Sequence, residues 1–390
     1  MTSTPAAVSR LRVVIVTNLY PSARRPGWGS YVASRAEHLR AAGVEVDVIR
    51  VNDTSNAVAR YGRLAGQALG GVVGGLRGRL PDPFGGLWVA PGAPGRTVVE
   101  AHIAYPTGLF AWPLARSIDA PLVLFAHGGD VLDAPWRSRA DGLLAHRLFS
   151  AADLVIANSA FLADRVSALG VDASRLVVTS PGIDYRMFAG ARDAAGSNGV
   201  LRSGVLYVGH LISRKGPDLL VEALARMPAG IRPELTVLGD GQLRLALRAA
   251  ATAGGVAVRW RGSVEPAAVA SAMARADVVV VPSRMEALGL AALEAMAAGA
   301  ITVVTPVGGL GSLIEDGRTG FVAVAADPAA IAEALARALA VADDPDRAGP
   351  MRMSADATAA EHAAPVSVAR TVELYELLLA RRAVDAPRSP

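Results

Sequence analysis

One segment constrains the fold of this chain more than any other. Val278-Val279-Val280-Val281 is a continuous β-branched run, and a strand that is apolar at every position belongs in a parallel sheet covered on both faces. Pro282 and Ser283 end it. Residues 283–320 then read SRMEALGLAALEAMAAGAITVVTPVGGLGSLIEDGRTG. The pattern predicts a helix from near Leu288 to Gly299, with Gly299 as a left-handed cap. The amides of Ala287, Leu288, Gly289 and Leu290 then sit at the positive end of the helix dipole with no intrahelical acceptor, which makes an anion site. Gly289 carries no side chain to keep a ligand away.

Two acids flank that site, Glu286 before the helix and Glu294 inside it, seven residues between them. Glu294 lies roughly 7.5 Å further along the axis at 1.5 Å per residue. That is too far to share the anion's space, but it can reach a diol displaced from a phosphate, such as a ribose. Glu286 can face whatever hangs off the far phosphate. Most Glu pairs are solvated charges. Here residues 288–298 are apolar except at Glu294, so the helix is buried, and a lone acid on it needs a partner.

The rest of the chain alternates strand and helix patterns. Strands are predicted at 12–17, 44–51, 97–101, 122–126, 154–158 and 176–179, then at 204–208, 235–238, 256–260, 278–281 and 301–304. An amphipathic helix over 30–42 stops at Gly43. Such alternation implies parallel sheets with right-handed crossovers. With 390 residues the chain holds two domains. We place them at 1–190 and 200–365, with residues 189–199, small and polar, as the linker and a second break at 342–350. The final helix, 366–382, is amphipathic through Val368, Val372, Leu374, Tyr375 and Leu378. With no cysteine, disulfides, thiolate metal sites and a Cys nucleophile are excluded. No cleavable apolar leader and no apolar run of membrane-spanning length is seen, which implies a cytoplasmic protein. A net charge of +4 suits anionic ligands or an anionic membrane surface and does not point to nucleic acid.

The opening segment resembles the signature of glycosyltransferase family 4, retaining nucleotide-sugar transferases of the GT-B fold, P-S-x-x-E-G-F-G-L-x-x-L-E-A-M-A-x-G. This chain reads Pro282-Ser283-Arg284-Met285-Glu286-Ala287-Leu288-Gly289-Leu290, then Leu293-Glu294-Ala295-Met296-Ala297-Ala298-Gly299. Ala287 and Leu288 stand where the family has Gly-Phe, and Ala287 narrows the room around the sugar. The likeness covers nearly the whole chain, specific in the second half and looser in the first. It implies an α/β, GT-B architecture, two Rossmann-like parallel-sheet domains facing across a cleft. Residues 366–382 would complete the first, acceptor-side domain, and the second would bind the nucleotide sugar. Ligands in such sheets sit at the carboxyl ends of the strands.

Other strand-end loops extend the resemblance. Gly209-His210-Leu211-Ile212-Ser213-Arg214-Lys215-Gly216 follows a strand and matches the family's G-R-x-x-x-x-K-G at Lys215 and Gly216. The resemblance implies that Lys215 neutralises the leaving diphosphate and that Arg214 supplies part of the charge missing at His210. A His210 that donates a weaker hydrogen bond and one that only packs at the strand end weigh equally. Gly239, in Leu238-Gly239-Asp240-Gly241, resembles the G-x-G loop, although Asp-Gly turns are common everywhere. Arg261 lies in a strand similar to the one that reads the nucleobase, and a solvated arginine is an equal reading. In the first half, His127-Gly128-Gly129-Asp130 resembles H-G-x-D. His127 would then touch the donor sugar and Asp130 would orient an acceptor hydroxyl. Gly27-Trp28-Gly29-Ser30 resembles the loop near the phosphates, and His102, Tyr105, Pro106 and Gly108 form a loop for the acceptor pocket. Residues 56–91 interleave Arg60, Arg63, Arg77 and Arg79 with Leu and Val, as an acceptor or membrane contact would.

The resemblance implies a retaining, metal-independent hexosyltransferase using a UDP- or GDP-type sugar, with His127, Lys215 and Glu286 as catalytic residues. The nucleotide-diphosphate sugar is a co-substrate, and no further cofactor is expected. The acceptor is a sugar, a lipid-linked glycan or a secondary metabolite, reached in the cytoplasm or at the inner face of the membrane. Two alternatives stay open: an epimerase of the same fold, and a catalytically silent sugar-nucleotide-binding protein, which His210 favours. A dinucleotide-dependent dehydrogenase lacks support, because no G-x-G-x-x-G follows the first strand.

Overall fold

Runs of Val, Ile and Leu become the centres of two parallel sheets. The computed structural model describes residues 10–21, 29–50, 96–197, 199, 202 and 204–385. The first sheet contains β1 (Arg12–Thr17), β2 (Glu45–Arg50), β3 (Thr97–His102), β4 (Leu122–Ala126), β5 (Leu154–Ala157) and β6 (Leu176–Val178), in the order β2-β1-β3-β4-β5-β6. The second contains β7 (Val205–Val208), β8 (Leu235–Leu238), β9 (Val258–Gly262), β10 (Val278–Val281), β11 (Ile301–Val304) and β12 (Phe321–Val322), in the order β12-β11-β10-β7-β8-β9. Every pairing is parallel. These are two Rossmann-like α/β units of the GT-B kind. The predicted strands are present with ends moved by a residue or two. Among the described residues only β12 was missed, because a two-residue edge strand shows no periodicity.

The uniform run in β10 has the expected cause. Val278 and Val280 enter one apolar core with Leu220 and Ile331, while Val279 and Val281 enter another with Met273 and Met296. Helices lie on both faces, so no position of the strand faces water. Several helices open with proline in the first turn, at Pro217, Pro266, Pro328 and Pro345, where the missing N–H costs nothing.

The described residues form two compact units: one reaches Pro181 and resumes at Pro365, the other runs from Gly182 to Ala364. The segment read as a linker, 189–199, is instead largely helical, within Tyr185–Ser197. Phe188 and Ala189 are buried on it, and it packs on the helix Pro266–Arg275. Its small residues looked like linker composition, but they let one helix lie close to another. The break expected at 342–350 shrinks to Asp343 and Asp344, since the helix Pro345–Glu361 runs through Pro350. Residues 56–91, with Gly27 and Trp28, lie outside the described residues. No helix among the described residues is long and apolar enough to cross a membrane.

The last helix, Ala364–Asp385, sets Val368, Tyr375 and Leu379 in the core of the first unit with Val13, Ile15 and Val98. It also reaches a buried charge pair there. Arg35 donates to Glu100 through Nη2 at 2.8 Å and Nε at 3.1 Å, and to Thr371 Oγ1 and Tyr375 Oη at 3.4 and 3.2 Å. Removing one partner of such a pair strands a buried charge. Glu100→Ala should therefore lower stability by about 3–5 kcal/mol, read from chemical unfolding. An unchanged unfolding midpoint would contradict this role for the pair.

Candidate active site

In the second unit, two loops leave the carboxyl ends of β7 and β10 and meet backbone to backbone. The N–H groups of Arg284 and Met285 donate to the Arg214 carbonyl at 2.8 and 3.4 Å. Gly216 has φ of 64°, and a Cβ built on it would lie 1.9 Å from the Pro282 carbonyl oxygen. Only glycine fits. This approach sets Lys215 Nζ 2.6 Å from Glu286 Oε2. Ser283, fully buried, donates to the same carboxylate oxygen at 3.2 Å, and its own carbonyl accepts from Thr305 Oγ1 at 2.5 Å. Arg284 grips Asp218 at 2.5 and 2.8 Å and the Ser213 carbonyl at 2.8 Å, which fastens the outside of the same corner.

The helix after Glu286 spans Leu290–Ala297, two residues later than predicted, because Gly289 turns left-handed at its N-cap with φ of 101°. A Cβ there would lie 2.4 Å from Leu310 Cδ1. Gly289 is thus required by the turn and by packing, beyond leaving room for a ligand. Among the described residues the N–H groups of Leu288, Gly289 and Leu290 make no hydrogen bond. Leu288 and its neighbour Ala287 are buried. Three N–H donors without a bond among the described residues thus follow Glu286, the ion-pair partner of Lys215.

Glu294 is half-buried in the same helix, and its carboxylate makes no hydrogen bond or ion pair among the described residues. Burial, and then the nearby Asp184, push its carboxyl up to about 8. Asp184 caps the next helix by accepting from the Met187 N–H at 3.3 Å, and nothing in its spacing marked it as a neighbour of Glu294. Gly209 and Gly239 stand at the ends of β7 and β8, with the Gly209 N–H donating to the Leu238 carbonyl at 3.0 Å. His210 and Arg214 are exposed. The His210 carbonyl accepts from the Tyr207 hydroxyl at 3.0 Å. Arg261 is exposed on β9.

In the first unit, His127 follows β4 directly and is half-buried. Its Nε2 lies 3.0 Å from His102 Nδ1, and His102 Nε2 lies 3.0 Å from Glu100 Oε2. Gly29 caps the helix Ser30–Ala41. The acceptor-side candidates have other tasks. Asp130 is 3% exposed and accepts from the backbone N–H groups of His127, Gly128 and Ala104 at 2.7–3.1 Å. Both its oxygens are engaged, so it ties the loop after β3 to the loop after β4. Burial raises it to about 6, with those N–H groups pulling the other way. Tyr105 is 4% exposed, and its hydroxyl donates to Asp141 at 2.6 Å. Gly108 faces Leu124 and Leu148 of the core. Sequence reasoning missed the Arg35–Glu100–His102 network. The available signal was Glu100 itself, a charge two residues before His102 in a strand otherwise written in Thr, Val and Ala.

Comparison with known proteins agrees with this fold. Residues 27–186 match the profile described as Glycosyltransferase Family 4, and residues 202–351 match Glycosyl transferases group 1. The D-inositol 3-phosphate glycosyltransferase 1 of Catenulispora acidiphila is 30% identical, with 97% of each chain covered. The D-inositol 3-phosphate glycosyltransferase of Corynebacterium glutamicum is 29% identical, over 96% of this chain and 99% of the relative. Among solved structures, the sucrose-phosphate synthase of Thermosynechococcus elongatus superposes with a TM-score of 0.74 at 19% identity, covering 95% of this chain and 100% of that one. Anabaena HepE in complex with UDP-glucose gives 0.68 at 18%, covering 94% and 99%. The fold and the strand-end loops define a GT-B glycosyltransferase. The chain belongs to glycosyltransferase family 4.

Glu294 gives a test of the site without any substrate. Its folded carboxyl titrates near 8 against an ordinary 4.5, so the folded state binds the proton more tightly than the unfolded state. Its protonated form favours folding below the ordinary value, and that contribution is lost as pH rises through about 8. Glu294→Gln should therefore melt higher than wild type above pH 8, with the gain vanishing toward pH 4.5. Parallel melting curves across that range check it; a variant no more stable than wild type at high pH would contradict it.

Proposed function

We propose that this glycosyltransferase is a retaining hexosyltransferase. It moves a hexosyl group from a nucleotide-diphosphate sugar of the UDP or GDP type to an acceptor hydroxyl, with protein groups in place of a metal at the leaving diphosphate. One observation carries the reading: Lys215 and Glu286 are held 2.6 Å apart beside the unengaged amides of Leu288, Gly289 and Leu290. Breaking the bond between the anomeric carbon and the β-phosphate leaves negative charge on the diphosphate. A lysine and fixed N–H dipoles aimed at that charge stabilise it without reorganisation. Without ligand, Glu286 holds Lys215 in place. With a diphosphate on Lys215, the Glu286 carboxylate is released to accept hydrogen bonds from sugar hydroxyls. The Glu294 carboxylate, unpartnered among the described residues, accepts from the ribose diol. Retention rests on family membership.

For the acceptor, support comes from the relatives, whose names specify D-inositol 3-phosphate and whose length this chain matches almost end to end. An inositol phosphate is therefore the first acceptor to assay, ahead of other sugars, lipid-linked glycans and secondary metabolites.

Lys215→Ala should lower kcat for transfer on the order of a hundredfold or more, the scale of losing one preorganised donor at a developing oxyanion. Glu286→Gln should lower kcat by about tenfold to a hundredfold while leaving free nucleotide affinity nearly intact. Wild-type transfer rates in Lys215→Ala would place the diphosphate elsewhere. Binding has its own signature. Hydroxyl donors on Glu294 favour its ionised form, so UDP or GDP binding at pH 7 should release up to about one proton. Calorimetry in buffers of different ionisation heat reads that release, and Glu294→Gln should abolish it. Proton release unchanged in the variant would remove Glu294 from the nucleotide site.

A further inference from the structure

The buried groups behind His127 fix which of its ring atoms carries hydrogen. Arg35, Glu100 and His102 are 1%, 0% and 0% exposed. Every acceptor position of Glu100 is taken. Oε2 meets Arg35 Nε at 3.1 Å and His102 Nε2 at 3.0 Å; Oε1 meets Arg35 Nη2 at 2.8 Å and the Tyr375 hydroxyl. Burial alone would raise this carboxyl, but Arg35 and His102 outweigh it and hold it below the usual carboxylate range. Glu100 is ionised, so the His102 nitrogen facing it, Nε2, must carry a hydrogen.

The charge of Glu100 is already balanced by Arg35. A second proton on His102 would leave a net positive charge at full burial, and burial pulls His102 below the ordinary imidazole range. His102 is neutral and its Nδ1 is a bare lone pair. That lone pair lies 3.0 Å from His127 Nε2, which must therefore donate. Burial, then His102 and Arg35, keep His127 well below the usual range, so it too is neutral. Its remaining nitrogen, Nδ1, holds only a lone pair and has no protein partner among the described residues. The rings are locked by packing. His102 stacks on Phe125 at 4.4 Å, and Tyr31 stands 4.9 Å from His127.

We propose that Glu100 and His102 are positioning residues that hold His127 as its Nε2–H tautomer, so that Nδ1 can only accept a hydrogen bond, from a ligand hydroxyl. That this ligand is the donor sugar rests on the transferase reading and on the resemblance of His127-Gly128-Gly129-Asp130 to the family's H-G-x-D. The tautomer itself does not.

The test combines ring-nitrogen magnetic resonance with kinetics on the whole chain. Among the six histidines, His127→Gln identifies the His127 signals. The wild-type ring should be protonated on Nε2 and bare on Nδ1 throughout neutral pH. His102→Phe keeps a ring against Phe125 and removes the acceptor. His127 should then populate both tautomers, and kcat for transfer should fall about tenfold, with the donor KM within about twofold. His102→Gln supplies a carbonyl acceptor and should restore both readouts. Melting temperatures show that the variants are folded. A wild-type His127 that is charged or protonated on Nδ1 overturns the proposal. So does a His102→Phe protein that loses the tautomer and keeps its kcat. The resonance measurement needs no donor or acceptor, so its outcome is separate from that of the transferase reading.

Discussion

The chemistry of the second unit depends on how closely two pieces of backbone approach. Gly216 lies against the Pro282 carbonyl at a separation that no Cβ would survive. That approach lets the loop after β7 and the loop after β10 share hydrogen bonds, and it fixes the lysine of one beside the glutamate of the other. The same device recurs next door, where a Cβ on Gly239 would lie 1.9 Å from the Gly209 carbonyl oxygen. The loops at the carboxyl edge of this sheet are joined main chain to main chain. Arg284 adds a side-chain clasp on the outside of that corner, to Asp218 and the Ser213 carbonyl.

Charge is handled differently in the two units. In the first, Arg35, Glu100 and His102 are removed from water and satisfied almost entirely by one another and by Tyr375. A network this complete has no capacity left for a ligand. It meets the loop after β4 at His127, 3.0 Å from His102. In the second unit, the Lys215–Glu286 pair keeps partial exposure at 30% and 14%, and the Glu294 carboxylate has no hydrogen-bond or ion-pair partner among the described residues. Incomplete satisfaction is costly in a folded protein, and here it is concentrated where an anion and its attached diol would complete it.

Much of this was legible in the sequence. The four-valine strand, the prolines that open helices and the glycines after strand ends each act locally, so their patterns survive without knowledge of the fold. The Glu286–Glu294 spacing was readable for the same reason. The features that were misread depend on distant partners. Residues 189–199 have the composition of a linker, but become a helix because the helix Pro266–Arg275 offers a surface to cover. Asp130 and Tyr105 looked free to meet an acceptor because nothing local shows that Ala104 and Asp141 occupy them. Arg35 and Glu100 are separated by a large part of the first unit's chain, and only the order β2-β1-β3 brings the helix that follows β1 over β3.

The central claim is that one strand-end corner of the second unit takes a nucleoside diphosphate whole, phosphates at the helix N-terminus and ribose further along it. A crystal structure of the chain with a bound nucleoside diphosphate tests this most directly. The account predicts phosphate oxygens within hydrogen-bond reach of Lys215 Nζ and the amides of Leu288, Gly289 and Leu290, with the ribose diol on Glu294. Phosphates bound away from that corner, or a ribose that leaves Glu294 unpartnered, would contradict it.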